Sequence, residues 1–145
     1  MKLLEFPHSH YCEKARWALD YKGVPFQAVA IMPGFHMLTV RRYTPDTSVP
    51  VLLNNTEVVQ GSSEIINYLE QRYPSLPLTP TDADERRACL EIERSMYERL
   101  GENIRRILYS RLLAYPVFIR YCFTHPMPQF RQLIFRIFYP ILRRK

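Results

Sequence analysis

The order of local patterns in the first 73 residues constrains this chain more than any single motif. Residues 2–6 are short and apolar at their centre and read as a buried strand. Residues 7–10 have turn composition, and Ser9 is a natural N-cap for a helix over residues 11–21. Cys12, Ala15, Ala18 and Leu19 recur on one face of that helix. Gly23 supplies the left-handed stop, and Pro25 prevents continuation. Residues 26–31 form a second strand. A polar stretch over 32–48 allows one helical turn near 37–42. Residues 49–53 and 56–59 then read as two strands joined by a tight turn at Asn54-Asn55. A helix over 63–72 follows and ends at Tyr73-Pro74.

Strand, helix, strand and then strand, strand, helix is the thioredoxin arrangement, so residues 1–76 are expected to form an α/β thioredoxin-like domain. Residues 74–80 hold Pro74, Pro77 and Pro80, a stiff segment that marks the expected domain boundary. Residues 82–145 read as all-α. Asp82 or Asp84 caps a long helix reaching Leu113, with Cys89, Ile92, Met96, Leu100, Ile104, Ile107 and Leu108 as its apolar stripe. Tyr115-Pro116 breaks it, and shorter helical segments follow over 117–123 and 130–139.

Composition narrows the function classes. With 47% hydrophobic and 23% charged residues the chain is globular rather than disordered. Cys12, Cys89 and Cys122 are odd in number and widely spaced, which argues against a disulfide framework and for a reducing, cytoplasmic setting. No Cys/His cluster has zinc spacing, and His8 and His10 lack further nearby ligands, so no metal is expected. The first residues do not read as a signal peptide, and no run is long and apolar enough to span a membrane. The net charge of +6 is uneven: residues 1–102 carry 11 basic and 14 acidic side chains, whereas residues 103–145 carry nine basic and none acidic. Those basic residues alternate with large aliphatic ones, a poor pattern for nucleic acid. Phe130, Leu133, Ile134, Ile137, Phe138 and Ile141 share one helical side, accompanied by Arg131, Arg136 and Arg143-Arg144-Lys145. Two readings stand for residues 127–145: a peripheral membrane contact, or, preferred here, the core-facing helix of a bundle whose partner is missing.

Four segments have chemistry to offer. A helix start carries unpaired N–H groups and a partial positive charge of about half an elementary charge. Ser9 at such a start can donate to a ligand's thiolate, or it can simply cap the helix. Cys12, one turn on, is either a redox thiol or a buried structural cysteine. A cis bond at Val49-Pro50 would free the Val49 N–H and C=O to pair with an extended peptide ligand, whereas a trans proline would only open a strand. Gln60-Gly61-Ser62 begins the next helix, where Gly61 permits close approach and the helix start attracts a carboxylate; a plain cap is the other reading.

Taken in order, these segments resemble the glutathione S-transferase superfamily. The matching residues are Ser9-His10-Tyr11-Cys12 with Lys14-Ala15-Arg16-Trp17-Ala18-Leu19, then Tyr21-Lys22-Gly23-Val24-Pro25-Phe26, Tyr43-Thr44-Pro45, Ser48-Val49-Pro50-Val51-Leu52, and Gly61-Ser62-Ser63-Glu64-Ile65-Ile66-Asn67-Tyr68-Leu69-Glu70. The resemblance implies that Ser9 addresses the sulfur of glutathione, that the Val49 main chain beside a cis Pro50 holds the cysteinyl part, and that Ser62 receives the γ-glutamyl carboxylate. The position before that serine is commonly acidic in the family and helps to bind the γ-glutamyl amine; here it is Gly61, with Gln60 a partial substitute. His36 or Arg41 is placed to reach the glycyl carboxylate. The Ser9–Cys12 spacing also resembles a glutaredoxin motif whose first cysteine has become serine.

The resemblance implies a transferase with glutathione as co-substrate, which delivers the thiolate to a small hydrophobic electrophile in detoxification chemistry. It implies a homodimer as well. Only 65 residues follow Pro80, so the helical domain is expected to be partial or shortened and the electrophile site incomplete. Two other functions remain open: a non-catalytic glutathione-fold interaction module, and a glutaredoxin-like reductase using Cys12.

Overall fold

In a computed structural model, the described residues are 1–112, 114–125 and 127–142. The chain runs β1 (Lys2–Glu5), α1 (His10–Tyr21), β2 (Gln27–Ala30), α2 (His36–Val40), β3 (Val51–Asn54), β4 (Glu57–Gln60), α3 (Ser62–Arg72), α4 (Ala83–Ser95), a π-helical turn (Met96–Gly101), α5 (Glu102–Leu112), α6 (Pro116–Thr124) and α7 (Gln129–Leu142). The four strands lie in the order β2-β1-β3-β4. β1 pairs parallel with β2 and antiparallel with β3, and β3 pairs antiparallel with β4. This is the thioredoxin-like mixed sheet expected from the order of patterns, followed by an all-α segment.

The sheet is buried on both faces, which explains the continuous apolar runs of β1 and β3. On one face Leu3 and Leu52 meet Ala15, Ala18 and Leu19 of α1 and Ile65 and Leu69 of α3. On the other, Leu4, Ile31 and Val51 close over Val40 of α2. A third cluster joins Ile119 of α6 to Phe135 and Tyr139 of α7, with Met32 and Leu112 packed against it. Gly23 has the left-handed φ of +64° that ends α1. Asp82, rather than Asp84, caps α4, accepting from the Asp84 and Glu85 N–H groups at 3.0 Å each.

Several expectations shift. β3 begins at Val51, so Val49-Pro50 stands outside the ladder. The hairpin turn is Asn55-Thr56, with Asn55 at φ +53°. The long helix carries a π-helical turn over Met96–Gly101, and its apolar stripe is bare: Ile92, Met96, Leu100, Ile104, Ile107 and Leu108 are all exposed. Periodicity reports that a helix has an apolar face, not that this chain supplies what covers it. The apolar side of α7 is only partly covered. Phe135 and Tyr139 are its buried positions, while Phe130, Leu133, Ile137 and Phe138 face outward. The Ile141 side chain and residues 143–145 lie outside the described residues. Among those described, no helix is long and apolar enough to cross a membrane.

Candidate functional site

The N-terminus of α1 and the loop ending at Val49 line a cavity of about 510 Å³; Pro50, Gln60, Gly61 and Ser62 do not line it, and the N-terminus of α3 is tied to that loop from behind. The first N-terminus is that of α1. The Ser9 N–H donates to Phe6 O at 3.0 Å, and its carbonyl accepts from Glu13 N at 2.8 Å, so the residue is fixed from both sides. Arg16 reaches back from α1 to the Pro7 carbonyl at 3.0 Å and pairs with Glu5 and Glu13, which ties the turn to the helix it precedes. Ser9 Oγ accepts from the Cys12 N–H at 3.5 Å, a long capping bond. Ser9 lines the cavity.

Cys12 does not line it. The thiol is fully buried among the side chains under α1, and burial pushes its pKa up despite hydrogen bonds from the Phe6 backbone and Ser9 that act the other way. Such burial favours the neutral, shielded thiol.

The Val49–Pro50 bond is cis. Because pairing starts at Val51, the Val49 N–H and C=O have no backbone partner among the described residues, and Val49 lines the cavity. The loop before it is fixed by Gln60. Its Nε2 donates to Asp46 O (3.2 Å), Ser48 O (2.9 Å) and Ser48 Oγ (3.2 Å). The Gln60 amide nitrogen is thus committed to holding the segment that presents Val49. The Pro50 carbonyl accepts from Gly61 N at 3.0 Å, which joins this loop to the start of α3.

That start is the second N-terminus. Gly61 is the N-cap, at φ +100°, and no side chain caps the helix. The first-turn N–H groups of α3 therefore remain available to an anion. Ser62 is 2% exposed, and its Oγ has no hydrogen-bond partner among the described residues; the buried Tyr139 hydroxyl, far along the chain in α7, is the other one without a partner there. A Cβ on Gly61 would lie 2.8 Å from Glu64 Oε2. The Glu64 carboxylate thus occupies the space where a side chain at position 61 would begin, and it makes no ion pair among the described residues. Sequence reasoning missed Glu64; the usable signal was an acid one helical turn after the glycine. Lys14 of α1, Ser63 of α3 and Glu93 of α4 form a bonded cluster that fixes both helix starts against the helical segment.

Helical residues close the cavity. Arg105, Leu108 and Leu112 from one face of α5 and Phe118, Ile119 and Phe123 of α6 form its far wall. His10 and His36 also line it, and burial lowers the pKa of each, aided at His10 by the Arg105 charge. Arg41 does not line the cavity. Tyr11 packs over Gly101 in the π-helical turn and meets Tyr97 with ring centroids 4.9 Å apart and the rings tilted by 48°. Among the described residues no cluster of three or more His, Cys, Asp or Glu is placed to hold a metal ion.

A thioredoxin-like sheet with two exposed helix starts, a cis proline between them and a helical segment closing the cleft defines a class of thiol-binding fold. A family model described as "Glutathione S-transferase, N-terminal domain" matches residues 3–80, and the chain belongs to that family. The chain is 34% identical over 118 residues to a maleylpyruvate isomerase of a Ralstonia species, covering 79% of this chain and 54% of that protein. A glutathione S-transferase from Methylobacterium radiotolerans, solved with glutathione sulfonate, is 37% identical with a TM-score of 0.57, over 62% of this chain and 43% of that one. The holo structure of a maleylpyruvate isomerase, described as a bacterial zeta-class enzyme, is 29% identical with a TM-score of 0.58, over 70% and 57%. The chain thus spans about half the length of the relatives it matches.

Proposed function

We propose that this chain binds glutathione across the two helix starts and presents its thiolate to an electrophile in the cavity. The observation that carries the reading is the buried, unpartnered Ser62 Oγ at an uncapped helix N-terminus. A γ-glutamyl carboxylate would accept from that hydroxyl and from the N–H groups of α3, and the helix dipole favours its charge. The Glu64 carboxylate, held over Gly61, is the counter-charge for the neighbouring ammonium. The free Val49 N–H and C=O suit the cysteinyl backbone in β-fashion. These three contacts would direct the sulfur to Ser9, whose hydroxyl and helix start lower the thiol's pKa as an oxyanion hole lowers that of an alcohol.

The step is a nucleophilic attack. The thiol proton goes to solvent, the sulfur lone pair forms a bond to the electrophilic carbon, and either a leaving group departs with its electron pair or a proton adds to the neighbouring carbon. The Methylobacterium relative, solved with glutathione sulfonate, supports the ligand assignment. The buried Cys12 favours this chemistry over a glutaredoxin-like reductase. We infer the rest of the organisation from the same reading: a glutathione-binding domain over 1–76, a helical one over 82–145, a cytoplasmic setting, and pairing of two copies through the bare apolar row of α4 and α5. Substituting Ser9→Ala should lower conjugation of an aryl halide by about 10²–10³-fold while glutathione binding changes only a few-fold. Undiminished turnover in Ser9→Ala together with loss in Cys12→Ser would refute the assignment and favour the reductase.

A further inference from the structure

α7 is apolar on two sides, and the fold uses one of them. Phe135 and Tyr139 are buried against Ile119 of α6. At about 100° per residue, Leu133, Ile137, Phe130 and Ile134 fall within an arc of about 100° on the opposite side. Phe130, Leu133 and Ile137 are each more than half exposed. Arg131 and Arg136 flank that arc, each about 60° beyond one of its edges. Both are exposed, and neither makes an ion pair among the described residues. The Arg131 guanidinium lies 5.8 Å from the centroid of the Phe130 ring, so its charge stands directly beside the apolar arc.

Charge decides what such a face can meet. Residues 103–145 hold nine basic side chains and no acidic one, and Arg143-Arg144-Lys145 directly follow α7 in the sequence. The bare row of α4 and α5 differs, because Glu91, Glu98 and Glu102 stand exposed along the same stretch. A second copy is a poor match for α7: a two-fold interface sets a patch against itself and would bring arginine to arginine with no acid between them. An anionic lipid surface matches both the apolar arc and its basic flanks. We propose that the outer face of α7 docks this chain on an anionic phospholipid membrane. Phe130, Leu133 and Ile137 enter the acyl boundary, and Arg131 and Arg136 lay their stems along it while their guanidiniums bind the headgroups. The 14-residue helix is about 21 Å long against a hydrocarbon core of about 30 Å, so it lies in the interface and does not cross. The docking does not depend on the glutathione site.

The test is co-sedimentation of the 145-residue chain with vesicles of phosphatidylcholine alone and of phosphatidylcholine mixed about two to one with phosphatidylserine. Binding to the mixed vesicles should exceed binding to the neutral ones by about thirtyfold or more, about fivefold for each flanking arginine. Arg131→Gln/Arg136→Gln should lose about thirtyfold on the mixed vesicles, and each single substitution about fivefold. Leu133→Gln/Ile137→Gln should lose about tenfold or more on the same vesicles, because the arc no longer enters the acyl boundary. Added salt should weaken wild-type binding. All four positions are exposed, so each variant should keep the wild-type midpoint in urea unfolding. No binding to the mixed vesicles, equal binding to both kinds, or binding that survives both double substitutions overturns the docking. A wild-type dimer in analytical ultracentrifugation that Leu133→Gln/Ile137→Gln turns into a monomer, without vesicle binding, overturns it in favour of a second copy.

Discussion

Removing the charge of Glu70 should weaken this fold by a predictable amount that vanishes in acid. Lys22, at the end of α1, has a fully buried side chain, and its Nζ lies 2.7 Å from Glu70 Oε1 on α3. The ammonium also donates to the carbonyls of Tyr73, Ser75 and Leu76 at 2.7, 3.3 and 3.2 Å. Glu70 accepts in turn from the Leu78 N–H and the Thr79 hydroxyl at 3.0 Å each. One ion pair thus binds α1, α3 and the proline-rich segment that leads to α4. Burial pushes the Glu70 carboxyl up, but the bonds from Lys22, Leu78 and Thr79 and the Lys22 charge outweigh it and lower the pKa from 4.5 to about 2. At about 1.4 kcal/mol per pKa unit that fall corresponds to about 3 kcal/mol. Allowing for water at the rim of the pair, about 2 kcal/mol is the expected contribution. Because the folded-state pKa is depressed, the contribution is present above the unfolded value and is lost as pH falls from about 4.5 towards about 2. Urea unfolding of the wild-type chain and Glu70→Gln should therefore differ by about 2 kcal/mol at neutral pH, and the gap should close near pH 2. Equal stabilities at neutral pH, or a gap that is the same at both ends, would refute the reasoning.

Two further substitutions probe the site. Glu64→Gln should weaken glutathione binding by about three- to tenfold while leaving unchanged the affinity for deaminoglutathione, which lacks the ammonium; equal losses for both ligands would remove Glu64 from the ammonium site. Gly101→Ala drives a methyl group into the Tyr11 hydroxyl, well inside van der Waals contact. Helix propensity favours the alanine by up to about 1 kcal/mol, but the rigid ring must move, so a net loss of about 1–2 kcal/mol is expected in urea unfolding. That loss should turn into a gain in a Tyr11→Ala background, and a gain in both backgrounds would refute the packing argument.

The parts of the site that depend on local sequence are legible in the order of residues alone. Ser9 reads as a cap from its place ahead of an amphipathic helix, and Gly61-Ser62 reads as a helix start for the same reason. Both are where the pattern puts them. The cis bond at Val49-Pro50 can be posed from sequence but not decided, because an isolated X-Pro step populates both isomers and the surrounding fold selects one. Glu64 is not visible in that way. It looks like an ordinary exposed charge on a helix, and its placement over the missing Cβ of Gly61 appears only in three dimensions. The bare faces of α4, α5 and α7 have a single physical source. Their apolar residues do form helical faces, but exposure of Ile104, Ile107, Leu133 and Ile137 is a property of the assembled chain and its partners, which periodicity does not encode.

The central claim is that a buried hydroxyl without a partner marks a ligand's place. Calorimetric titration of glutathione into the 145-residue chain and into Ser62→Ala tests it directly. Saturable binding to the wild-type chain, in the micromolar to millimolar range, with a loss of about tenfold or more in Ser62→Ala, is the predicted result. No binding to the wild-type chain, or equal affinity for both, would contradict the account.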